Sequence, residues 1–424
     1  MNSSCLRIGF VATRLEGTDG VSLEAFKWAQ ALEEFGHECF YFAGTSDRRA
    51  ARSRVVAEAH FEHPEVVKIS RDLFDDYRRS SATSEAVQEL WRSLKRELDA
   101  FVADFEIDVL VVENALAMPM NVPLGLALTD LIAQTNIPTI AHHHDFAWER
   151  PRFAINAAED YLQAAFPPSM HHIYNVVINS YAATELARRT GMRSTTIPNV
   201  MDFDCPPDEP DEYALTLRDE LGIDASEALL LQPTRIVPRK RIERTLELAC
   251  RLDLPCVVVI SHSSGDEGDQ YLSYLRDLAA RLEVRMILAA DRFNLHRGTT
   301  PDGRPIYSLA DGYQQADLVT YPSSLEGFGN AFLEAIYYRC PLLMSAYEIY
   351  RMDIRPKGFE VIEFSDFIDD RTVEKAQAIL SNRSRAAAMT EHNYQTAKRH
   401  YSYTTLRRRL RVLLDHLTGE LYGG

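Results

Sequence analysis

Short apolar runs of strand length alternate with helical stretches along this chain, and the alternation starts afresh in its second half. Residues 6–13 read as a buried strand and 14–20 as a glycine-containing loop. Residues 22–35 read as a helix, with Ser22 at its N-cap and Gly36 just past its end, and 37–43 as a second strand. Strand, loop, helix, strand at this spacing is a βαβ unit, which implies a parallel sheet with helices on both faces. Runs at 107–113, 137–141 and 175–179 continue the pattern, and runs at 228–232, 256–260, 285–289, 318–321 and 341–344 repeat it. Two α/β halves are predicted, a count that suits a chain of 424 residues.

The stretch 204–212 sets the junction. It carries Pro206, Pro207 and Pro210 among five acids, Asp204, Asp208, Glu209, Asp211 and Glu212, the composition of a linker. The expected domains are therefore 1–203 and 204–395. The remaining 396–424 read as a basic helix bearing Arg407, Arg408, Arg409 and Arg411.

Lys and Arg number 46 against 62 Asp and Glu, a net charge of −16. That field opposes general nucleic-acid binding. Six cysteines without a CxxC pair argue against a disulfide scaffold or zinc ribbon and for free thiols in a reducing cytoplasm. No apolar run approaches the length that spans a bilayer, and the first residues lack the marks of a signal peptide.

Two segments carry the chemistry. Tyr321-Pro-Ser-Ser-Leu-Glu326-Gly-Phe328-Gly329-Asn330-Ala-Phe-Leu-Glu334 ends a strand, passes through a glycine-bearing loop and opens a helix near Asn330. Glycines admit a ligand to the backbone, and amides at a helix start favour an anion such as a diphosphate. The alternative is an ordinary strand-to-helix loop with two solvated acids, Glu326 and Glu334. Gln232-Pro-Thr-Arg235-Ile-Val-Pro238-Arg-Lys240 follows the first strand of the second half and concentrates cations in an acidic protein. Pro238 delays the next helix to about Arg241, which leaves Arg235 and Lys240 on a loop at the carboxyl end of a strand, where α/β sheets bind ligands. Arginine offers a fork to phosphate oxygens and lysine a point charge; a solvated basic face is the other reading.

Arg235-x4-Lys240 with Glu326-x7-Glu334 some ninety residues on, and Gly327-Phe-Gly329 between the acids, resembles the retaining GT-B glycosyltransferases of family 4. Residues 197–202, Ile-Pro-Asn-Val-Met-Asp, are similar to that family's Pro-Asn-Gly-Val-Asp segment, without its glycine. Thr18-Asp19-Gly20-Val21 sits where the family carries a loop with two adjacent glycines; this chain has Gly20 alone. The resemblance implies two Rossmann-like domains facing a central cleft, with 1–203 taking the acceptor, 204–395 the nucleotide sugar, and the last helix crossing back to the first domain. It implies that Arg235 and Lys240 hold the donor diphosphate and that Glu334 contacts the ribose. Glu326 would touch hydroxyls of the transferred sugar, and the amides of Phe328, Gly329 and Asn330 would contact sugar or phosphate. Asp19 and Gly20 would lie against the substrates. Fixed cations at the leaving group suit an oxocarbenium-like transition state.

Ala141-His142-His143-His144-Asp145-Phe-Ala-Trp-Glu149-Arg150-Pro-Arg152 ends another strand. In the resembled family a histidine here contacts the transferred sugar or reaction centre, which points first to His144 and then to His143, with Asp145 beside them. Three consecutive histidines alternate faces along a strand, so no metal site is expected of them; a divalent ion is not required, though its participation stays open. Arg150 and Arg152 suggest an anionic acceptor; pairing with Glu149 or Glu159 is the plain alternative. Asp202-Phe-Asp204 is read as an accidental match to a metal-binding DxD. Asp266-Glu-Gly-Asp269 is read as a solvated turn, and Arg48, Arg49, Arg52 and Arg54 as a solvated helical face.

Residues 143–150 are also similar to transferases that build glycerate-linked compatible solutes, which implies GDP-mannose as donor and an anionic glucoside such as glucosylglycerate as acceptor. A UDP-glucose-dependent transferase, a GT-B epimerase and a non-catalytic sugar-binding protein are the alternatives. No tightly bound cofactor is expected. The partners are small molecules, not nucleic acid or membrane, and a homo-oligomer is left open.

Overall fold

In the computed structural model of the protein, which describes residues 5–17, 19–264 and 269–422, the apolar runs pair as parallel strands. The chain divides into two compact units, Met1–Asn199 with Leu406–Gly424, and Val200–Thr405.

The first unit runs β1 Arg7–Val11, α1 Gly20–Glu34, β2 Glu38–Ala43, β3 Ser53–Val55, α2 Pro64–Phe74, α3 Ser81–Asp104 and β4 Val109–Glu113. It continues with α4 Val122–Thr135, β5 Thr139–His143, α5 Glu159–Ala165, β6 Ile173–Val177, α6 Ser180–Thr190 and β7 Thr195–Thr196. Its seven strands stand in the order β3-β2-β1-β4-β5-β6-β7, every neighbour parallel. Strands β4 and β5 are buried along their whole length, and β1 beyond Arg7, because helices cover both faces. Gly9 shows how tightly α3 lies on β1: a Cβ there would sit 2.8 Å from Phe101 Cε1.

The second unit runs α7 Glu212–Leu215, α8 Leu217–Glu220, β8 Ala228–Gln232, α9 Glu243–Arg251, β9 Cys256–Ile260, α10 Gln270–Arg281 and β10 Met286–Leu288. Then come β11 Phe293–Asn294, β12 Gly298–Thr299, β13 Pro305–Ser308, α11 Leu309–Gln315, β14 Leu318–Tyr321, α12 Asn330–Tyr337 and β15 Leu342–Ser345. After these follow β16 Ile362–Phe364, α13 Asp370–Leu380 and α14 Arg383–Tyr401; the last helix, α15 Tyr403–Tyr422, belongs to the first unit from Leu406 on. Its main sheet, β10-β9-β8-β14-β15-β16, is all parallel, and β11-β13-β12 form a small separate sheet. In each unit the strand order reverses beside the first strand, at β1/β4 and at β8/β14, the switch points where open α/β sheets bind ligands.

Several expectations are corrected. Helix α1 begins at Gly20, not Ser22, because Asp19 Oδ1 accepts from the amides of Val21 and Ser22 at 3.1 Å each and so satisfies the first turn. Residues 204–212 are not a loose linker. Tyr337 donates to the Cys205 carbonyl at 3.0 Å, Gln314 to that of Asp208 at 2.9 Å, and Arg297 forks onto Asp211, so the segment is strapped to its own unit. The Arg48–Arg54 cluster is not a helical face. It spans a short 3₁₀ turn and the edge strand β3, with Arg52 paired to Glu33 and Glu38 and Arg54 to Glu97 and Asp104. The basic C-terminal helix is two helices, broken at Ser402. Asp204 of the DxD match accepts from Thr404. Residues 266–268 lie outside the described residues. Among the described residues no helix is long and apolar enough to cross a membrane.

Candidate functional site

The second unit's switch point brings together the loops after β8 and β14. Gln232 ends β8 fully buried; its Nε2 donates to Thr234 at 2.8 Å, and Thr245 and Thr320 donate to its Oε1 at 3.0 Å each. That network locks the start of the first loop to both strands. The two loops are then tied directly, since the Ser324 amide and hydroxyl donate to the Arg239 carbonyl at 2.9 and 3.1 Å. As expected, Pro238 keeps the chain out of α-helix: a 3₁₀ turn covers Pro238–Lys240, Arg241 takes φ +50°, and α9 starts at Glu243.

This geometry joins Lys240 to Glu326. The ammonium donates to Glu326 Oε1, lies 5.2 Å from the Tyr321 ring centroid, and has Arg239 opposite at 3.7 Å from Glu326 Oε2. Burial pulls the Lys240 ammonium below its ordinary range despite the carboxylate. Burial works against the Glu326 charge too, but Lys240 and Arg239 overcome it and hold that carboxyl low. Arg235 is exposed and has no protein partner among the described residues. Four groups on the loops after β8 and β14 thus carry an ion pair, a second cation beside it and a cation open to solvent.

Helix α12 starts at Asn330, with Gly329 at its N-cap in the left-handed region, φ +112°. A Cβ there would meet Tyr347 Oη at 2.8 Å, and that hydroxyl donates to the Phe328 carbonyl at 2.7 Å. Glycine is therefore required by conformation and by space. Phe328 is buried against Tyr401, ring centroids 5.2 Å apart. Glu334 accepts from the buried Tyr313 hydroxyl at 2.7 Å. His262, just beyond β9, was not singled out in the sequence. Burial, Lys240 and Arg235 keep its imidazole low, and Ser261 Oγ lies 2.8 Å from its Nδ1. The signal for it was the polar Ser-His-Ser-Ser that abruptly follows an apolar run.

The first unit's switch point holds the histidines. Glu113 ends β4 beside His142 in register. Strand alternation puts His142 and His144 on one face and His143 on the other, where its Nε2 lies 2.9 Å from Asn175 Oδ1. Glu113, its side chain fully buried, has His144 Nε2 at 3.0 Å and His142 Nδ1 at 2.9 Å from a single oxygen. Burial opposes its charge, yet the two imidazoles hold its carboxyl down to about 2. Burial lowers His142, and lowers His143 to about 4; His144 is raised because Glu113 outweighs burial. His142 stacks on Trp28 of α1, ring centroids 4.2 Å apart.

Asp145 is spoken for on both oxygens, by Asn114 Nδ2 at 2.9 Å and by Arg150 Nε at 2.9 Å. Asn114 takes φ +61° and also accepts from the His144 amide at 3.0 Å, so it sets the loop that follows the histidines. Arg150 therefore pairs with Asp145, and it also acts electrostatically on Glu149. Arg152 is exposed over Phe153 and touches Met120; Asp145 acts on it electrostatically, but no carboxylate among the described residues stands within ion-pair distance. Asp19 is spent on the α1 cap, on Ser22 Oγ at 2.6 Å and on Arg14 at 3.3 Å, with Gly20 the first helical residue. Glu113 and Asn114, an adjacent polar pair closing an apolar run, and Asn175, one polar residue within another, escaped the sequence reading because nothing in their spacing marks them off from ordinary strand ends.

Residues 304–396, which include the Glu326–Glu334 segment, match the family model described as glycosyl transferases group 1. The chain is 33% identical to a mannosylglucosylglycerate synthase of Petrotoga mobilis over 84% of this chain and 86% of the relative. It is 30% identical to the enzyme of that name from Thermotoga maritima, over 95% and 98%. In structure it resembles a glycosyltransferase of Rickettsia africae, with TM-score 0.68 at 12% identity, covering 98% of this chain and 99% of the other.

Proposed function

The chain belongs to the group 1 glycosyl transferases, and from that premise we propose that it is a retaining family 4 hexosyltransferase carrying mannose from GDP-mannose to glucosylglycerate or a closely similar anionic glucoside. The observation that carries the reading is the similarity, over most of both chains, to two mannosylglucosylglycerate synthases. The fold is GT-B in type, two Rossmann-like units, and the activity is that of a hexosyltransferase.

In this reading Arg235 and Lys240 take the donor diphosphate and neutralise the charge that develops as it leaves. A diphosphate competes with Glu326 for the Lys240 ammonium, and its arrival frees Glu326 for the sugar hydroxyls. Glu334, oriented by Tyr313, receives the ribose; the backbone of Phe328, Gly329 and Asn330 lies beside sugar and phosphate. His144, held by Glu113, serves the reacting sugar, with His143 behind it as a positioning residue. Arg152, which lacks a carboxylate partner, takes the acceptor carboxylate, while Arg150 and Asp145 brace its loop. Asp19 and Gly20 shape the approach at the start of α1.

The test is transfer from GDP-mannose and from UDP-glucose to glucosylglycerate and to its uncharged glucosylglycerol analogue, with products resolved by NMR. An α-linked mannosyl product, formed from GDP-mannose and the anionic acceptor, is expected. Arg235→Ala should cost on the order of 10²–10³ in kcat. Arg152→Glu should raise the acceptor KM and leave nucleotide affinity unchanged. A β-linked product, preference for UDP-glucose, or joint loss of nucleotide and acceptor affinity in the Arg152 variant would overturn the corresponding assignment.

A further inference from the structure

We propose that Glu113, His142 and His144 form a binding site for a divalent cation of the zinc class, in the first unit at the carboxyl ends of β4 and β5. The ligand atoms His142 Nδ1, His144 Nε2 and a Glu113 carboxylate oxygen all lie within 4.8 Å of one another. The side chains are 1%, 9% and 0% exposed for His142, His144 and Glu113. Two imidazoles and one carboxylate are the donor set of catalytic zinc sites, which keep a fourth position open. Two nitrogen donors favour Zn²⁺, Co²⁺ or Ni²⁺ over Mg²⁺ or Ca²⁺, which take oxygens.

The hydrogen bonding supplies the second observation. His144 makes an aligned bond to Glu113, but His142 Nδ1, although 2.9 Å away, lies off the line of one. His142 Nδ1, His142 Nε2 and Glu113 Oε1 are buried with no hydrogen-bond partner. A buried carboxylate and imidazole left this way cost free energy, and a cation would recover the share that falls on Nδ1 and the carboxylate, while His142 Nε2 stays without a partner. Bonds of about 2.0–2.1 Å in a tetrahedron place ligand atoms about 3.4 Å apart. The two separations from Glu113, 2.9 and 3.0 Å, must open by roughly 0.4 Å, and the two histidine nitrogens, within 4.8 Å of each other, must come to about the same spacing. Two more carboxylates act electrostatically here, Glu24 of α1, 1% exposed and paired with Lys27, on both His142 and His144, and Asp145, paired with Arg150, on His144.

His143 takes no part, because it faces Asn175. The alternation that disqualifies three consecutive histidines leaves the first and third on one face, and the neighbouring strand supplies the third ligand. The inference shares His144 with the proposed function but reads metal binding, not transfer, so either can fail alone.

The experiment uses the full chain, stripped with a chelator and titrated with Co²⁺, followed by visible d–d absorption and by equilibrium dialysis. One tightly bound ion per chain with tetrahedral-type intensity is expected. Loss of affinity by at least about 100-fold is expected in Glu113→Gln and in His142→Gln. Cys5, Cys205 and Cys250 are exposed and could capture the ion instead. X-ray absorption on the zinc-loaded wild type separates the cases without relying on a variant that folds: nitrogen and oxygen neighbours with imidazole scattering support the site. A sulfur shell, no stoichiometric binding, or binding unchanged in folded Glu113→Gln would overturn it and leave the cluster as a proton-sharing triad.

Discussion

Lys240→Met removes one partner of an ion pair whose side chains are 10% and 11% exposed. Methionine nearly matches the lysine stem in volume, so the cavity contribution is small and the loss is electrostatic. Breaking a buried pair on one side costs about 3–5 kcal/mol, because the remaining charge is left in a dry site. Arg239, at 3.7 Å from Glu326, compensates in part and places the expectation near the lower figure, about 3 kcal/mol. Neutralising both ends, in Lys240→Met/Glu326→Gln, removes the stranded charge and should recover at least half of that. The assay is urea denaturation of each variant, read on the transition of the second unit. The pH dependence adds a second reading. In Lys240→Met the Glu326 carboxyl loses its main counter-charge and burial drives it above its unfolded value. Its protonated form is then favoured by folding, so the variant should regain stability as pH falls toward the unfolded value and lose it as pH rises. Nucleotide diphosphate affinity should fall in Lys240→Met and persist in Glu326→Gln. A double variant destabilised by the sum of the two singles would mean no coupling, and would refute the argument.

Gly329→Ala and Gly358→Ala separate two costs in one unit. Both glycines have positive φ, +112° and +85°, but a Cβ at 358 meets nothing within 4 Å whereas at 329 it meets Tyr347 Oη at 2.8 Å. Denaturation should show about 1–2 kcal/mol lost at 358 and about 2–4 kcal/mol at 329, and equal losses would discredit the steric reading. Burial, and then Asp145, raises the Glu149 carboxyl to about 7 from its usual 4.5. The folded state therefore holds a proton that the unfolded chain has released between those values, and stability declines as pH rises through the window. Glu149→Gln should match wild type below the window and exceed it by roughly 1–3 kcal/mol above it; a pH-independent difference would remove the cause assigned.

The sequence by itself determined the architecture and the two loops that meet at the second unit's switch point. Apolar runs of strand length separated by helices leave no arrangement but parallel sheets covered on both faces, and β8, β9 and β14 begin and end where the pattern places them. Pro238 dictates the loop that bears Lys240, and Gly329 the turn into α12, because both are backbone constraints local in sequence. The edges β3, β7 and β16 were not legible, since two or three residues carry no period. Nor was the fate of the acidic proline stretch, whose carbonyls and Asp211 find donors some ninety to one hundred and thirty residues away. The clearest division lies within one strand. The alternation of His142, His143 and His144 is written in the sequence. The carboxylate that gathers the first and third is not, because Glu113 reaches them only through the pairing of β4 with β5. Local constraints act through the backbone of the residue that bears them and can be read in order; a site at a switch point is assembled by sheet pairing between distant segments, and tertiary structure alone decides which polar end of which strand stands beside which.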